Sequence, residues 1–171
     1  MGGTSVEKWS KIVMKWPEQF KGVNLLGALM NGFMYIEIGG TGGSAFRSMY
    51  AQFLDEASAI INEPALNEVA EMMRQSAKVW SEIASGCLPD SWPTLRRMKE
   101  LIIEKDRLFI EQEQNALEAM RKINMEMDEL MEKVVEDLQK PPMFLADVRQ
   151  SIVKCYEIEK KAFSALSSVT K

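Results

Sequence analysis

The stretch TLRRMKELIIEKDRLFIEQEQNALEAMRKINMEMDELMEKVVEDLQK, residues 94–140, decides the fold class, because it is long and contains neither glycine nor proline. Its side chains repeat every seven residues, the spacing typical of a helix that packs along one seam. The seam positions are Ile103, Ile110, Leu117, Asn124, Met131 and Leu138. We therefore predict one long helix over about 94–140 in an all-α protein, with Asn124 as a buried polar residue that fixes the register. Because an unbroken helix of this length would extend ~70 Å, it either bends, near Phe109 and Ile110 where the stripe changes phase, or its end projects and needs a partner.

Helical patterns also dominate the chain on both sides of this stretch. Pro141 and Pro142 end the long helix, and a final helix is predicted over about 143–168. Two apolar helices joined by a short turn pack side by side, so we expect these two to form a long C-terminal hairpin. The sequence predicts a single helical bundle over 1–171, with a glycine-rich loop at 39–43 between the second and third helical segments. Only Met34–Ile38 has the pattern of an extended segment.

The totals exclude several classes of function. A net charge of −4 offers no basic surface to a nucleic acid, and no stretch approaches the ~18 apolar residues that cross a membrane. We therefore predict a cytoplasmic protein with neither nucleic acid nor membrane as partner. The chain contains no histidine, which removes Ser-His and Cys-His pairs and the common zinc motifs. Cys87 and Cys155 match no metal spacing, so no catalytic residue, metal or cofactor is predicted.

The glycine-rich loop GGTGG precedes the helix whose apolar positions are Phe46, Met49, Tyr50, Phe53, Leu54 and Ala57. Backbone N–H groups of such a loop, with those of the helix that Ser44 would cap, can bind an anion, and Arg47 can add a bidentate contact. The predicted anion- or ligand-binding residues are Gly39, Gly40, Thr41, Gly42, Gly43, Ser44 and Arg47. The alternative is a tight chain reversal in which Arg47 neutralises a carboxylate, either Glu37 or Glu159.

A second set of candidates consists of polar residues expected in buried surroundings: Glu37, Tyr50, Asn124 and Glu159. Glu159 lies on the otherwise apolar stripe of the final helix, where a carboxylate is costly unless it is paired. A structural ion pair explains it, and a proton-handling group with a raised pKa is the other interpretation. An enzyme that uses Glu37 and Glu159 as its two carboxylates stays open as a third function.

The run GGTGGSAFRSMYAQFLDEA (39–57) resembles the signature of a helical domain of unknown function, the C-terminal domain of butirosin-biosynthesis protein H-like acyltransferases. SAKVWSEIASGCLPD (76–90), MKELIIEKDRLFIEQ (98–112) and IEKKAFSAL (158–166) are similar to the same pattern, so the resemblance spans roughly 10–168. In that family the helical domain follows a papain-like domain, and the characterised member transfers an acyl group from a carrier-protein thioester to an aminoglycoside amine. Since this sequence lacks the papain-like domain, we expect the catalytic groups to reside on another chain or segment.

The resemblance implies a non-catalytic accessory domain that binds a substrate or a carrier. Loop 39–43 and Arg47 would hold an anionic group, such as a phosphopantetheine phosphate or a carboxylate. The implied partners are a separately encoded papain-like domain or an acyl carrier protein. The residues alone leave a second hypothesis open, a stand-alone binding or scaffold protein that forms a homodimer through the long helix.

Overall fold

The structure, a computed structural model, describes residues 3–39, 42–111, 115–140 and 142–169, and in these ranges the chain is helical without any strand. The all-α prediction is confirmed. Short 3-10 turns lie at Val13–Lys15 and Ser44–Phe46. The α-helices are α1 (Gly3–Ile12), α2 (Trp16–Gln19), α3 (Val23–Glu37), α4 (Arg47–Ile61), α5 (Ala65–Cys87), α6 (Pro93–Glu111), α7 (Ala116–Asp137) and α8 (Leu145–Val169).

Helix α5 is the centre of the bundle and packs against α8, α4 and α3. Its buried positions lie on more than one face, which is the pattern of a helix surrounded by others. The main core joins α3, α5, α6, α7 and α8 around Leu26, Leu29 and Ile83. A second, smaller cluster joins α4, α5 and α8 around Leu54 and Met73. Helix α4 is thus attached through the smaller cluster.

The unbroken helix predicted over about 94–140 is wrong, because α6 and α7 are separate helices that pack against each other. Helix α6 ends at Glu111, close to the bend predicted near Phe109 and Ile110, and the chain reverses there instead of bending. They run antiparallel, since Thr94 Oγ1 is 2.7 Å from Asp137 Oδ2 and Arg97 Nε is 2.6 Å from Glu126 Oε1. Folding back buries an apolar cluster of Leu101, Leu108 and Ile123 that a straight helix would leave in water. Residues 112–114, between the two helices, lie outside the described residues.

The heptad seam also fails, because its first four positions are exposed rather than packed. The buried side chains of this region are Leu95, Met98, Leu101, Ile102, Leu108, Ile123, Val134 and Leu138. Asn124, predicted to be buried, is exposed, and its side-chain oxygen accepts a hydrogen bond from Lys105 Nζ at 2.8 Å. The change of phase in the sequence near Phe109 and Ile110 lies at the end of α6, and each helix of the hairpin turns its own apolar face toward its neighbours.

The final helix differs from the prediction in its partner. Helix α8 packs mainly against α5 and α1, so the hairpin of this fold is formed by α6 and α7 and not by the predicted long and final helices. Pro141, part of the predicted turn, lies outside the described residues. The extended segment predicted at Met34–Ile38 is wrong as well: residues 34–37 form the end of α3 and Ile38 is its C-cap, because burial of Phe33 and Ile36 outweighs the intrinsic strand preference of the residues.

Candidate functional site

The glycine-rich loop leads into a turn with an unusual backbone. Ser44, Ala45 and Phe46 have φ values of 54°, 48° and 67°, in the left-handed region that non-glycine residues rarely adopt. Ser44 is therefore not the N-cap of α4, as the sequence predicted, because α4 begins only at Arg47. Gly42 and Gly43 also have positive φ, which glycine adopts without strain. Gly39 follows α3, whereas Gly40 and Thr41 lie outside the described residues.

This turn places Arg47 against Glu159 on α8. Arg47 Nε donates to Glu159 Oε1 at 2.7 Å and its Nη2 donates to Oε2 at 3.2 Å, a bidentate pair. The remaining guanidinium nitrogen, Nη1, donates to the carbonyl oxygen of Ala45 at 2.8 Å. The ion-pair interpretation of Glu159 is thereby confirmed. Every nitrogen of the guanidinium has a partner inside the protein.

Helix α5 supplies two further donors to the same carboxylate. Ser76 Oγ and Trp80 Nε1 each donate to Glu159 Oε1 at 2.8 Å. The Trp80 ring lies under the Arg47 guanidinium, 5.0 Å from its central carbon, and stacks on Trp9 of α1. The network therefore ties α1, α4, α5 and α8 together through one buried carboxylate.

The surroundings of Glu159 set its ionisation state. Burial raises the pKa of this carboxyl, but hydrogen bonds from Arg47, Trp80 and Ser76 and the charge of Arg47 together lower it below the usual 4.5. Glu159 is thus held as a carboxylate at neutral pH. A proton-handling role needs a raised pKa, so that interpretation of Glu159 is wrong.

A lowered pKa makes the network sensitive to acid. A carboxyl with a lower pKa in the folded chain stabilises the fold above its unfolded pKa, and this contribution disappears as the pH falls through the folded pKa. We expect wild type to be more stable than Glu159→Gln near neutral pH, with the difference shrinking below pH ~4.5. Urea unfolding followed by circular dichroism from about pH 7 to about pH 3 measures it. A difference that does not change with pH would contradict the assignment.

The two cysteines lie in the core and are poor nucleophiles. Burial raises the pKa of Cys87 to about 12. Burial, with the nearby Glu159 carboxylate, raises the pKa of Cys155 to about 12 as well. Both thiols therefore stay protonated at neutral pH, whereas nucleophilic cysteines depend on the thiolate.

The other predicted polar residues lie in different places. Tyr50 is half-buried on α4 and stacks on Phe53 with ring centroids 6.0 Å apart. Glu37, at the end of α3, does not reach the ion pair but lines a cavity of about 430 Å³ between α3, α5 and α6. Its Oε1 atom is buried without a hydrogen-bond partner, the only such side-chain nitrogen or oxygen in the ranges that the structure describes.

A second cavity, of about 500 Å³, lies beside the first helical turn of α4. Ser44 lines it together with two serines that the sequence did not single out, Ser48 and Ser81, and with the cations Arg74 and Lys78. Arg74 is neutralised by Asp55 and Glu71. If an anion binds in this cavity beside the glycine-rich loop, Lys78 faces it and Arg47 does not. Because Lys78 lies on α5, the sequence of the loop could not identify it.

The outer face of α4 carries large apolar side chains although it is exposed, with the carboxylate of Glu56 among them. Phe46, Met49, Phe53 and Ile60, which we call the α4 stripe, are between 50% and 82% exposed. Met49, Phe53 and Ile60, spaced by four and seven residues, lie on one side of the helix, opposite the buried Ala51 and Ser58. Contiguous exposed apolar groups commonly mark interaction surfaces. The sequence pattern showed these positions as apolar but did not show which of them the core leaves uncovered.

Two further observations limit the kinds of site in the described part of the chain. No group of three or more cysteine, aspartate or glutamate residues there is arranged to hold a metal ion. No helix there is both long and apolar enough to cross a membrane.

Comparison with known proteins identifies the family. Residues 1–119 match the family described as "Domain of unknown function (DUF4872)", which is more than half of the chain. The chain belongs to the DUF4872 family. No curated protein and no solved structure matches it. The DUF4872 match includes the glycine-rich loop, Arg47, Ser76 and Trp80, whereas their common partner Glu159 lies beyond it.

Proposed function

We propose that this protein is a non-catalytic accessory domain that docks onto a separately folded partner through the α4 stripe, as the helical part of an acyltransferase-like assembly. The observation that carries the proposal is the exposure of Phe46 at the start of α4 and of Met49, Phe53 and Ile60 on one side of the helix. Large apolar side chains in such a row are typical of surfaces that a partner covers.

The stretch that carries the resemblance to acyltransferases supports the same surface. Within residues 39–57, Arg47 forms an ion pair with Glu159, and Ala51 and Leu54 are buried in the core. The folded chain itself therefore explains why these three residues are present. Phe46, Met49 and Phe53 belong to the same stretch and are each at least half exposed, although Phe53 also stacks on Tyr50. A partner surface explains why large apolar groups occupy these positions.

Of the two partners that the resemblance implies, the α4 stripe favours a papain-like domain. Helix α4 carries a single basic residue, Arg47, and Glu159 neutralises it. A carrier protein would present a phosphate to this surface and would need a free cation. The cavity of Ser44, Ser48, Ser81 and Lys78 is the nearest place with a lysine, although the carboxylate of Glu71 lines it too and interacts with the charge of Lys78. Carrier binding there is the second form of the proposal.

Phe53→Ala tests the docking surface. We expect the affinity for the partner to fall by a factor of about 30 or more, as for a central aromatic residue of an interface. The partner is obtained by tagged purification of the full chain from its native cells, followed by mass spectrometry. The affinity is then measured by calorimetry between the two purified proteins. Recovery of a papain-like protein, lost with Phe53→Ala, supports the proposal.

Leu117→Ala is the matched control, since Leu117 is also apolar and exposed but lies at the start of α7, away from α4. It should leave the partner's affinity unchanged. Equal losses in both variants, or none in Phe53→Ala, would remove the α4 stripe from the proposal. Recovery of an acyl carrier that depends on Lys78 and not on Phe53 would favour the carrier-binding form.

A stand-alone dimeric scaffold is the second candidate, and a separate observation favours it. Phe109, Ile110 and Leu117 lie at the end of the α6–α7 hairpin and are each more than two-thirds exposed. A second copy of the chain could cover them. A mass by light scattering that rises with concentration and falls in Leu117→Ala would favour this candidate.

A further inference from the structure

A cavity of about 710 Å³ lies where the connection into α3 meets the connection between α7 and α8. Its walls include the buried side chains of Leu25 on α3, Leu138 at the end of α7, and Pro142 and Leu145 at the start of α8. A volume of this size and walls that are mostly apolar are typical of small-molecule sites. The walls alone favour a ligand with an aliphatic part.

The charged residues that line this cavity are all of one sign. They are Lys21 and Lys140, and no aspartate or glutamate of the described ranges is among the lining residues. Within those ranges neither lysine is paired with a carboxylate. The cavity is therefore complementary to an anion and not to a cation.

The ammonium of Lys21 is held at the wall of the cavity. Its Nζ donates to the carbonyl oxygen of Pro17 at 2.7 Å, and Pro17 itself lines the cavity. An ammonium group has three N–H donors, so two remain for a ligand. A single ammonium fixed in this way matches a head group with one negative charge, such as a carboxylate.

Two methionines with exposed side chains also line the cavity. Met14, which precedes α2, is 42% exposed, and Met143, which precedes α8, is 78% exposed. Methionine is flexible and adapts its shape to apolar partners. These side chains offer apolar surface to the part of an aliphatic chain that reaches beyond the buried walls.

We propose that this cavity binds a medium-chain fatty acid as its carboxylate. The carboxylate accepts a hydrogen bond from Lys21 Nζ, and Lys140 adds positive charge to the same cavity. The aliphatic chain contacts the walls at Leu25, Leu138 and Leu145. None of these residues belongs to the α4 stripe, so the inference does not rest on the docking proposal.

The test uses the full chain and three probes: octanoate, butanoate and octylammonium. We expect calorimetry to give saturable binding of octanoate, at concentrations below those at which it forms micelles. Butanoate should bind at least about tenfold more weakly, because it buries fewer methylene groups. Octylammonium has the same chain but the wrong charge for a cavity lined by two lysines, so it should bind more weakly as well.

Lys21→Gln removes the charge at the head-group position and should weaken octanoate binding roughly tenfold. Lys8→Gln is the matched control, because Lys8 is exposed on α1 and does not line the cavity. Ala146→Leu adds apolar volume to the wall, in a residue that helices tolerate equally well, and should also weaken octanoate binding. Circular dichroism checks that each variant is folded.

Chemical-shift changes on the unmodified chain provide a readout that does not depend on any variant folding. Octanoate should shift the backbone amides of Gly22 and Ala146, which line the cavity, and Phe53→Ala should bind octanoate like wild type. The proposal is overturned if the shifts lie along α4 or if Phe53→Ala loses binding. It is also overturned if butanoate or octylammonium binds as well as octanoate, if Lys21→Gln binds unchanged, or if no saturable binding occurs.

Discussion

Replacing Arg47 by alanine should lower the free energy of unfolding by about 3 kcal/mol, the lower end of the range for a broken buried ion pair. The side chain of Glu159 is 8% exposed and would keep its charge without the cation that faces it. The Arg47 side chain is 27% exposed, so water can reach part of the gap and the upper end of the range is not expected. Urea unfolding at neutral pH, followed by tryptophan fluorescence and circular dichroism, measures the loss.

Two further variants separate the ion pair from simple loss of side-chain packing. Adding Glu159→Gln to Arg47→Ala should recover stability, because the amide removes the buried charge and keeps an acceptor for Ser76 and Trp80. Arg74→Ala removes an exposed cation that pairs with Asp55 and Glu71, and should cost no more than about 1 kcal/mol. An Arg47→Ala protein as stable as wild type, with lost ligand binding, would restore Arg47 as a ligand anchor.

The local helical pattern predicted the fold class but not the pairing of helices. Absence of glycine and proline over 94–140 identified helical sequence correctly, since both residues disfavour helix interiors. The reversal between α6 and α7 has no such marker, and its reason is the tertiary cluster of Leu101, Leu108 and Ile123. Helix propensity is too weak to decide between one straight helix and two packed ones, because burial of apolar surface contributes more to stability.

The candidate site, like the fold, was predicted only in part. A carboxylate on an apolar stripe indicated that Glu159 needs a cation, and the sequence proposed Arg47 as a cation that neutralises either Glu37 or Glu159. It could not show that Ser76 and Trp80 complete the network, because a hydroxyl and an indole on α5 carry no local signal of what they face. The exposed half of α4 was hidden for the same reason: an apolar residue has the same pattern whether the core or a partner covers it.

Replacing Leu54 by alanine should cost about 2–5 kcal/mol, since Leu54 is 2% exposed and belongs to the smaller cluster. Because α4 packs mainly on α5, we expect the loss to appear first as opening of α4 while the main core stays folded. Hydrogen exchange measures this directly, with faster exchange along α4 than along α3 or α6. Docking through the α4 stripe would weaken too, because a smaller fraction of the molecules would have α4 folded in place.

Ile60→Ala removes a similar number of carbon atoms from the same helix, but Ile60 is 82% exposed. Its free energy of unfolding should change by no more than ~0.5 kcal/mol, as for most surface substitutions. The pair therefore separates the two faces of α4: Leu54→Ala acts through the stability of the helix, and Ile60→Ala acts only where a partner covers the surface. If hydrogen exchange were uniformly faster in all helices of the Leu54→Ala protein, local opening of α4 would be contradicted. The two apolar clusters would then unfold as one unit.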